Sequence, residues 1–231
     1  MPWLNDVDDG RQQGKIKYSM AQIMLTGMVM FASNLKSRRK IAYKLRRRMR
    51  SRVVLNWLKA KMFPHGDTIE NAIRKCGFRS LEQVKLFCAQ RLIRMRAMEI
   101  FRLLNRYYMI AIDGSGIIST HKRHCKYCLY KMERKSGKTL YYYHSIVDAA
   151  LVTKAGFVIS LISDFLENED PHSSKQDCEQ NAFKRIAKRL KDAFPRLPIC
   201  LLLDALTIGE PFCSKYANKT AGSSSLCLRI T

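Results

Sequence analysis

Two short apolar runs, each closed by a single aspartate, constrain this chain more than any other feature. Tyr108–Ile112, inside YYMIAIDGSG (107–116), stops at Asp113 and gives way to Gly114 and Gly116. Ile199–Leu203, inside LPICLLLDAL (197–206), stops at Asp204. Apolar runs of about five residues bounded by turn signals are too short for a helix and fit strands. Strands that are apolar on both faces belong in the middle of a sheet covered on both sides. Each aspartate is then expected where a central strand ends, held by rigid scaffold but open at the edge. Gly114 and Gly116 would turn the backbone away there. A plainer role for each is to cap the turn or helix that follows. The matched pair favours a shared carboxylate site.

A formal charge of +23 and a pI near 10 point to a polyanionic partner, nucleic acid before a membrane surface. The longest apolar stretch, Met20–Ala32, is broken by Gln22 and Thr26 and is too short to span a bilayer. Asp6, Asp8 and Asp9 stand where a secretory signal would carry basic residues, and the cysteines Cys76, Cys88 and Cys200 lie in apolar or helical surroundings. Reduced thiols and a cytoplasmic location are the expectation.

The charge is concentrated in Lys36–Lys61. Lys36, Arg38, Arg39, Lys40, Arg46, Arg47, Arg48, Arg50 and Arg52 face no acidic residue in that interval. Ile41, Leu45, Met49, Val53 and Trp57 recur every four residues, so an apolar stripe is expected to hold a helix down while the cations fan outward. A solvated charged face normally mixes signs, and this one does not, which favours phosphate-backbone binding.

Around this centre, residues 1–16 are polar and expected to fray, and 17–105 reads as a basic helical DNA-binding region. Asp67-Thr68 with Glu70 marks a helix start, and Ser80 with Gln83 a capping box opening a helix that could run to Leu104. Beyond Asp113 the pattern becomes strand-like. Thr139–Leu151 and Phe157–Phe165 read as a hairpin turning at Lys154-Ala155-Gly156, with His144 as a sheet histidine. Lys175–Phe194 is an amphipathic helix buried through Ala182, Phe183, Ile186, Ala187, Leu190 and Phe194. Residues 217–231 have no structural pattern. The segment from His121 to Cys128 contains one Cys-x-x-Cys. A second well-spaced ligand pair is absent and His124 adjoins Cys125, which weighs against zinc at His121, His124, Cys125 and Cys128.

A strand ending in Asp, a hairpin, a helix and a second strand ending in Asp is the order of an RNase H-like fold. The expected fold class is therefore α/β: a helical N-terminal region, then an incomplete RNase H-like mixed sheet with flanking helices over 106–216. A crossover to a strand parallel to the first would bring Asp113 and Asp204 together. Two such carboxylates suit Mg²⁺ or Mn²⁺, hard cations that prefer oxygen ligands.

The stretches PHGDTIENAIR, YYMIAIDGSG, HCKYCLYK and SKQDCEQNAFKRIAKRLKDAFPRLPICLLLDAL make this chain resemble bacterial insertion-sequence transposases of the DDE class from about Phe63 to Phe212. The resemblance implies DNA transposition: cutting and joining DNA at element ends, on an RNase H-like core, with two aspartates and a glutamate holding the metal. Asp113 matches the first acid and Asp204 the second. It implies DNA as partner and leaves a homo-oligomer open. The family's glutamate lies far beyond the second aspartate, whereas only Ala205–Thr231 follows Asp204 here, and Glu210 is too close to match. A truncated transposase that binds DNA without strand transfer is the expectation. A DNA-binding regulator is one alternative, and a metal nuclease completed by Glu167 or Asp164 is another.

Overall fold

The computed structural model describes residues 4, 7–41, 43–44, 52–123, 125–133, 135–168, 176–203 and 228–229. The chain divides into two compact units, Met1–Val84 and Lys85–Thr231, so the second begins inside a helix and not near residue 106.

The first unit is helical. Helix α1 (Met20–Ala32) starts at Ser19, whose hydroxyl accepts from the Gln22 amide while the Gln22 side chain accepts from the Ser19 amide. This reciprocal cap satisfies two amides that have no partner within the helix. Gln22 also donates to the carbonyls of Leu58 and Lys59 at 2.9 and 3.2 Å. These carbonyls lie at the end of α3 (Arg52–Leu58), which follows the single turn α2 (Arg38–Lys40). Helix α4 (Gly66–Lys75) is capped by the His65 ring, which accepts from the Asp67 amide. The described residues before α1 include anchored ones, contrary to the expected fraying. Leu4 and Val7 are buried, and Arg11 donates to both Asp9 carboxylate oxygens and to the Tyr18 carbonyl. Helix α5 (Phe78–Arg94) begins two residues before Ser80 and stops well short of Leu104. A turn with Arg96 at positive φ and a 3-10 turn at Glu99–Phe101 break it.

The second unit is built on a mixed sheet. Strand β1 (Tyr108–Thr120) is flanked by β3 (Thr139–Val152), antiparallel, and by β5 (Ile199–Leu203), parallel. On its other side β3 carries two antiparallel strands end to end. β2 (Leu129–Met132) pairs along Thr139–Tyr143, and β4 (Val158–Leu166) pairs along Ser145–Val152. Helix α6 (Glu179–Ala193) returns the chain from β4 to β5. The α/β class read from the sequence is the class observed.

Alternation explains the core. Tyr108, Ile110 and Ile112 of β1, Val147, Ala149 and Leu151 of β3, and Ile199, Leu201 and Leu203 of β5 are all buried. With them in one cluster lie Ala182, Phe183, Ile186 and Leu190 of α6, four positions at helical spacing. Burying each of the larger aliphatic chains contributes about 1.5–3 kcal/mol.

Two expectations about strands need correction. β1 does not end at Asp113. It runs on through both glycines to Thr120, because β3 is long enough to offer a continuing ladder as far as Tyr142, and the register shifts only between Gly116 and Ile118. Among the described residues, Ile112 is the last of β1 to pair with β5, and the burial ends there. The C-terminal tail is also not featureless. Leu228–Arg229 forms β6, antiparallel to β5, on an edge of β5 that no other described strand covers. Cys200, in β5, is disulfide-bonded and not the reduced thiol expected.

Candidate functional site

Asp113 lies on the middle of β1, one residue past the last pair with β5, and is exposed. Its Oδ1 accepts from the Gly114 amide at 2.8 Å. Directly across the antiparallel pair is Asp148 of β3. Like charges placed opposite one another destabilise a sheet. Asp148 is compensated: its Oδ1 accepts from the hydroxyls of Ser160 and Ser163, and Lys85 Nζ, 4.0 Å away, donates to both of those hydroxyls at 2.8 Å. Burial lowers the Lys85 ammonium from its usual range, and Asp148 acts in the other direction.

Glu179, the first residue of α6, reaches the same level of the sheet. Its carboxyl carbon stands 2.9 Å from where a Cβ on residue 114 would be, so only glycine leaves it that approach. Neighbouring residues of a strand face opposite ways, so Gly114 and with it Glu179 lie across the sheet from the Asp113 side chain.

The residues just before α6 do several jobs. Gln176 accepts from the Tyr130 amide and donates to the Tyr130 carbonyl, covering the outer edge of β2. Asp177 accepts from the Cys178 amide and from Arg185. Burial would raise the Asp177 carboxyl, yet Arg185 and its amide partners hold it below the usual carboxylate range. Arg185 also donates to Asp164, and its guanidinium is raised by the hydrogen bond to Asp177 against its partial burial. Arg189 pairs with Asp164 as well. Asp164 is thus engaged by two arginines of α6, which removes it as a free third acid, while Glu167 lies half-buried just after β4.

A different set of residues converges closely. Cys125 and Cys128 Sγ atoms are 3.5 Å apart, and His144 Nε2 lies 3.2 Å from the first and 3.5 Å from the second. Among the described residues this is the one group of three or more potential metal ligands that come together. Burial, then the hydrogen bond to Cys128, raises the Cys125 thiol. His144 replaces the histidines that sequence proximity suggested: His121 is not in the group, and His124 lies outside the described residues. Sequence spacing could not find His144, because the ladder brings it in from another strand.

Of the remaining expected residues, Lys36, Arg39, Lys40 and Arg52 are exposed. Arg38 lies in α2, and Arg46, Arg47, Arg48, Arg50 and Asp204 lie outside the described residues. The apolar stripe does not hold as expected: Ile41 is buried, but Val53 and Trp57 are exposed, and Leu58 is the buried residue of α3. Leu45 and Met49 are outside the described residues. No helix among the described residues is long and apolar enough to cross a membrane.

No protein-family model matches this sequence, and no curated protein or solved structure matches it.

Proposed function

We propose that this chain is a DNA-binding protein of transposase type, whose sheet carries the frame of a metal-dependent phosphoryl-transfer site at Asp113 and Asp204. The observation that carries this reading is one register. Ile112 of β1 pairs with Leu203 of the parallel strand β5, and the next residue after each is an aspartate. An antiparallel run of β1, β3 and β4, followed by a helix and a strand parallel to β1, is also the strand order of RNase H-like folds. The one-signed charge of Lys36–Arg52 supports DNA as the partner, and the cytoplasm is where such a partner is met.

Oxygen donors suit the hard cations of this chemistry, and Asp113, exposed beside β5, is a fitting ligand. Mg²⁺ or Mn²⁺ held by Asp113 and Asp204 would stabilise charge on the attacking and leaving oxygens of a phosphodiester. A second reading, DNA binding without cleavage, is favoured by a specific observation. Each described carboxylate near Asp113 is otherwise engaged or turned away: Asp148, opposite it on the same face, accepts from Ser160 and Ser163 beside Lys85, Glu179 lies across the sheet, and Asp164 is ion-paired.

Supercoiled plasmid incubated with the protein and Mn²⁺ separates the two. Nicking lost in both Asp113→Ala and Asp204→Ala supports the catalytic frame. Salt-dependent duplex binding without nicking supports the second reading, and no binding at low salt overturns both.

A further inference from the structure

We infer that Cys125, Cys128 and His144 form a zinc site that fastens the segment between β1 and β2 to β3. The three donors come from two places in the chain, and the fold supplies the convergence. Cys128 immediately precedes β2, and β2 pairs with β3 up to Leu129 opposite Tyr143. β4 takes over on the same edge from Ser145 opposite Leu166. His144 stands at the changeover between the two ladders, after Tyr143 and before Ser145, with its ring at the two sulfurs. The Tyr127 carbonyl accepts from the Asn168 amide and closes the chain around the same point.

The distances fit the ion. Zn–S bonds of about 2.3 Å and Zn–N bonds of about 2.0–2.1 Å in a tetrahedron place sulfurs about 3.8 Å apart and sulfur from nitrogen about 3.6 Å apart. The observed separations, 3.5 Å between sulfurs and 3.2 and 3.5 Å from sulfur to nitrogen, need only a slight expansion. A disulfide would instead hold the sulfurs at about 2.05 Å. Two thiolates and an imidazole are soft and borderline donors that select zinc over magnesium or calcium. Three protein ligands leave the fourth position to water or to a donor outside the described residues.

The site has a structural task. The segment from His121 to Cys128 carries Lys122, Arg123 and Lys126, cations that repel one another. The ion would hold this basic segment in one arrangement against the sheet. Its ligands are chemically unlike those of the aspartate frame, so it stands or falls independently of the proposed reaction.

The test uses the full chain, reduced and stripped of metal by a chelator, then titrated with Co²⁺. The expected result is a thiolate-to-cobalt charge-transfer band with visible bands of tetrahedral intensity, displaced by stoichiometric Zn²⁺. Cys125→Ser, Cys128→Ser and His144→Ala should each weaken zinc binding by at least the roughly 10–100-fold that loss of an outer-shell partner costs, while His121→Ala leaves it unchanged. A wild-type cobalt spectrum without the thiolate band overturns the inference without recourse to any variant. Zinc affinity unchanged in a folded Cys125→Ser/Cys128→Ser variant overturns it too.

Discussion

Asp113 and Asp148 face each other directly across the β1–β3 ladder, two carboxylates on one face of the sheet. Only Asp148 has the support of Lys85, Ser160 and Ser163; Asp113 is exposed. In a sheet such an opposition costs a few tenths to about 1 kcal/mol, and a cation beside Asp113 would relieve it.

Asp113→Asn should therefore stabilise the metal-free protein by about 0.5 kcal/mol, since it removes one of two facing charges. Urea denaturation in the presence of a chelator checks this. The same substitution should abolish any stabilisation that Mn²⁺ gives the wild type. A variant less stable than wild type without metal would show that the Asp113 carboxylate is needed for the strand itself.

The exposed cations Arg39, Lys40 and Arg52 should contribute to DNA affinity through phosphates. Their joint replacement by alanine should weaken binding to any duplex sequence and flatten the log–log salt dependence by roughly 0.9 for each lost contact. Fluorescence anisotropy over a salt series reads both. Equal affinity at low salt would remove these three from the interface.

Asp177→Asn should destabilise the second unit by about 1 kcal/mol at neutral pH, a figure reduced for the solvent around Arg185. The sign with pH follows from the lowered carboxyl of Asp177. A depressed folded value gives stability that is present above the unfolded value near about 3.9 and is lost as pH falls through the folded one. The gap between wild type and variant should stay flat around neutrality and close in acid. Denaturant titrations at several pH values measure it, and a gap that widens in acid would refute the ion-pair account.

Two glycines should respond differently to alanine. At Gly10 a Cβ would meet the Lys75 carbonyl oxygen at 2.5 Å, a backbone atom that cannot step aside. At Gly114 it would meet the end of the flexible, exposed Glu179 side chain. Gly10→Ala should cost about 1–3 kcal/mol, as other overpacking changes do, and Gly114→Ala less than about 1 kcal/mol. Thermal melts of the two variants compare them directly, and equal losses would place Glu179 in a rigid role.

The parts of the fold legible in the sequence were those with strong period or sharp boundaries. Tyr108–Ile112, Ile199–Leu203 and the hairpin of β3 and β4 are apolar or β-branched runs between turn residues, and α6 has apolar residues at helical spacing. What escaped depends on pairing. The stretch Ser115–Thr120 stays in β1 because β3 is long enough to pair with it, although its own side chains are mostly exposed. β2 and β6, of four and two residues, are too short to carry a period. His144 and Cys128 are 16 residues apart and meet only through the ladder. At the aspartate frame the sequence showed Asp113 but not Asp148, whose position opposite it is a matter of register.

Among the described residues, β3 runs past its step from His144 to Ser145 without a shift of its own, while each neighbour changes there. On one side β1 shifts register there, between Gly116 and Ile118, and on the other β2 gives way to β4. The interruptions on both flanks fall at the same height, so the sheet carries a transverse crease bridged only by β3 and by the bulged backbone of β1. Bending along it would swing the outer end, with β2 and its basic connection, while the end bearing Asp113 and the packed face of α6 stays still. A ligand that gripped His144 would sit on that fold line and set its angle.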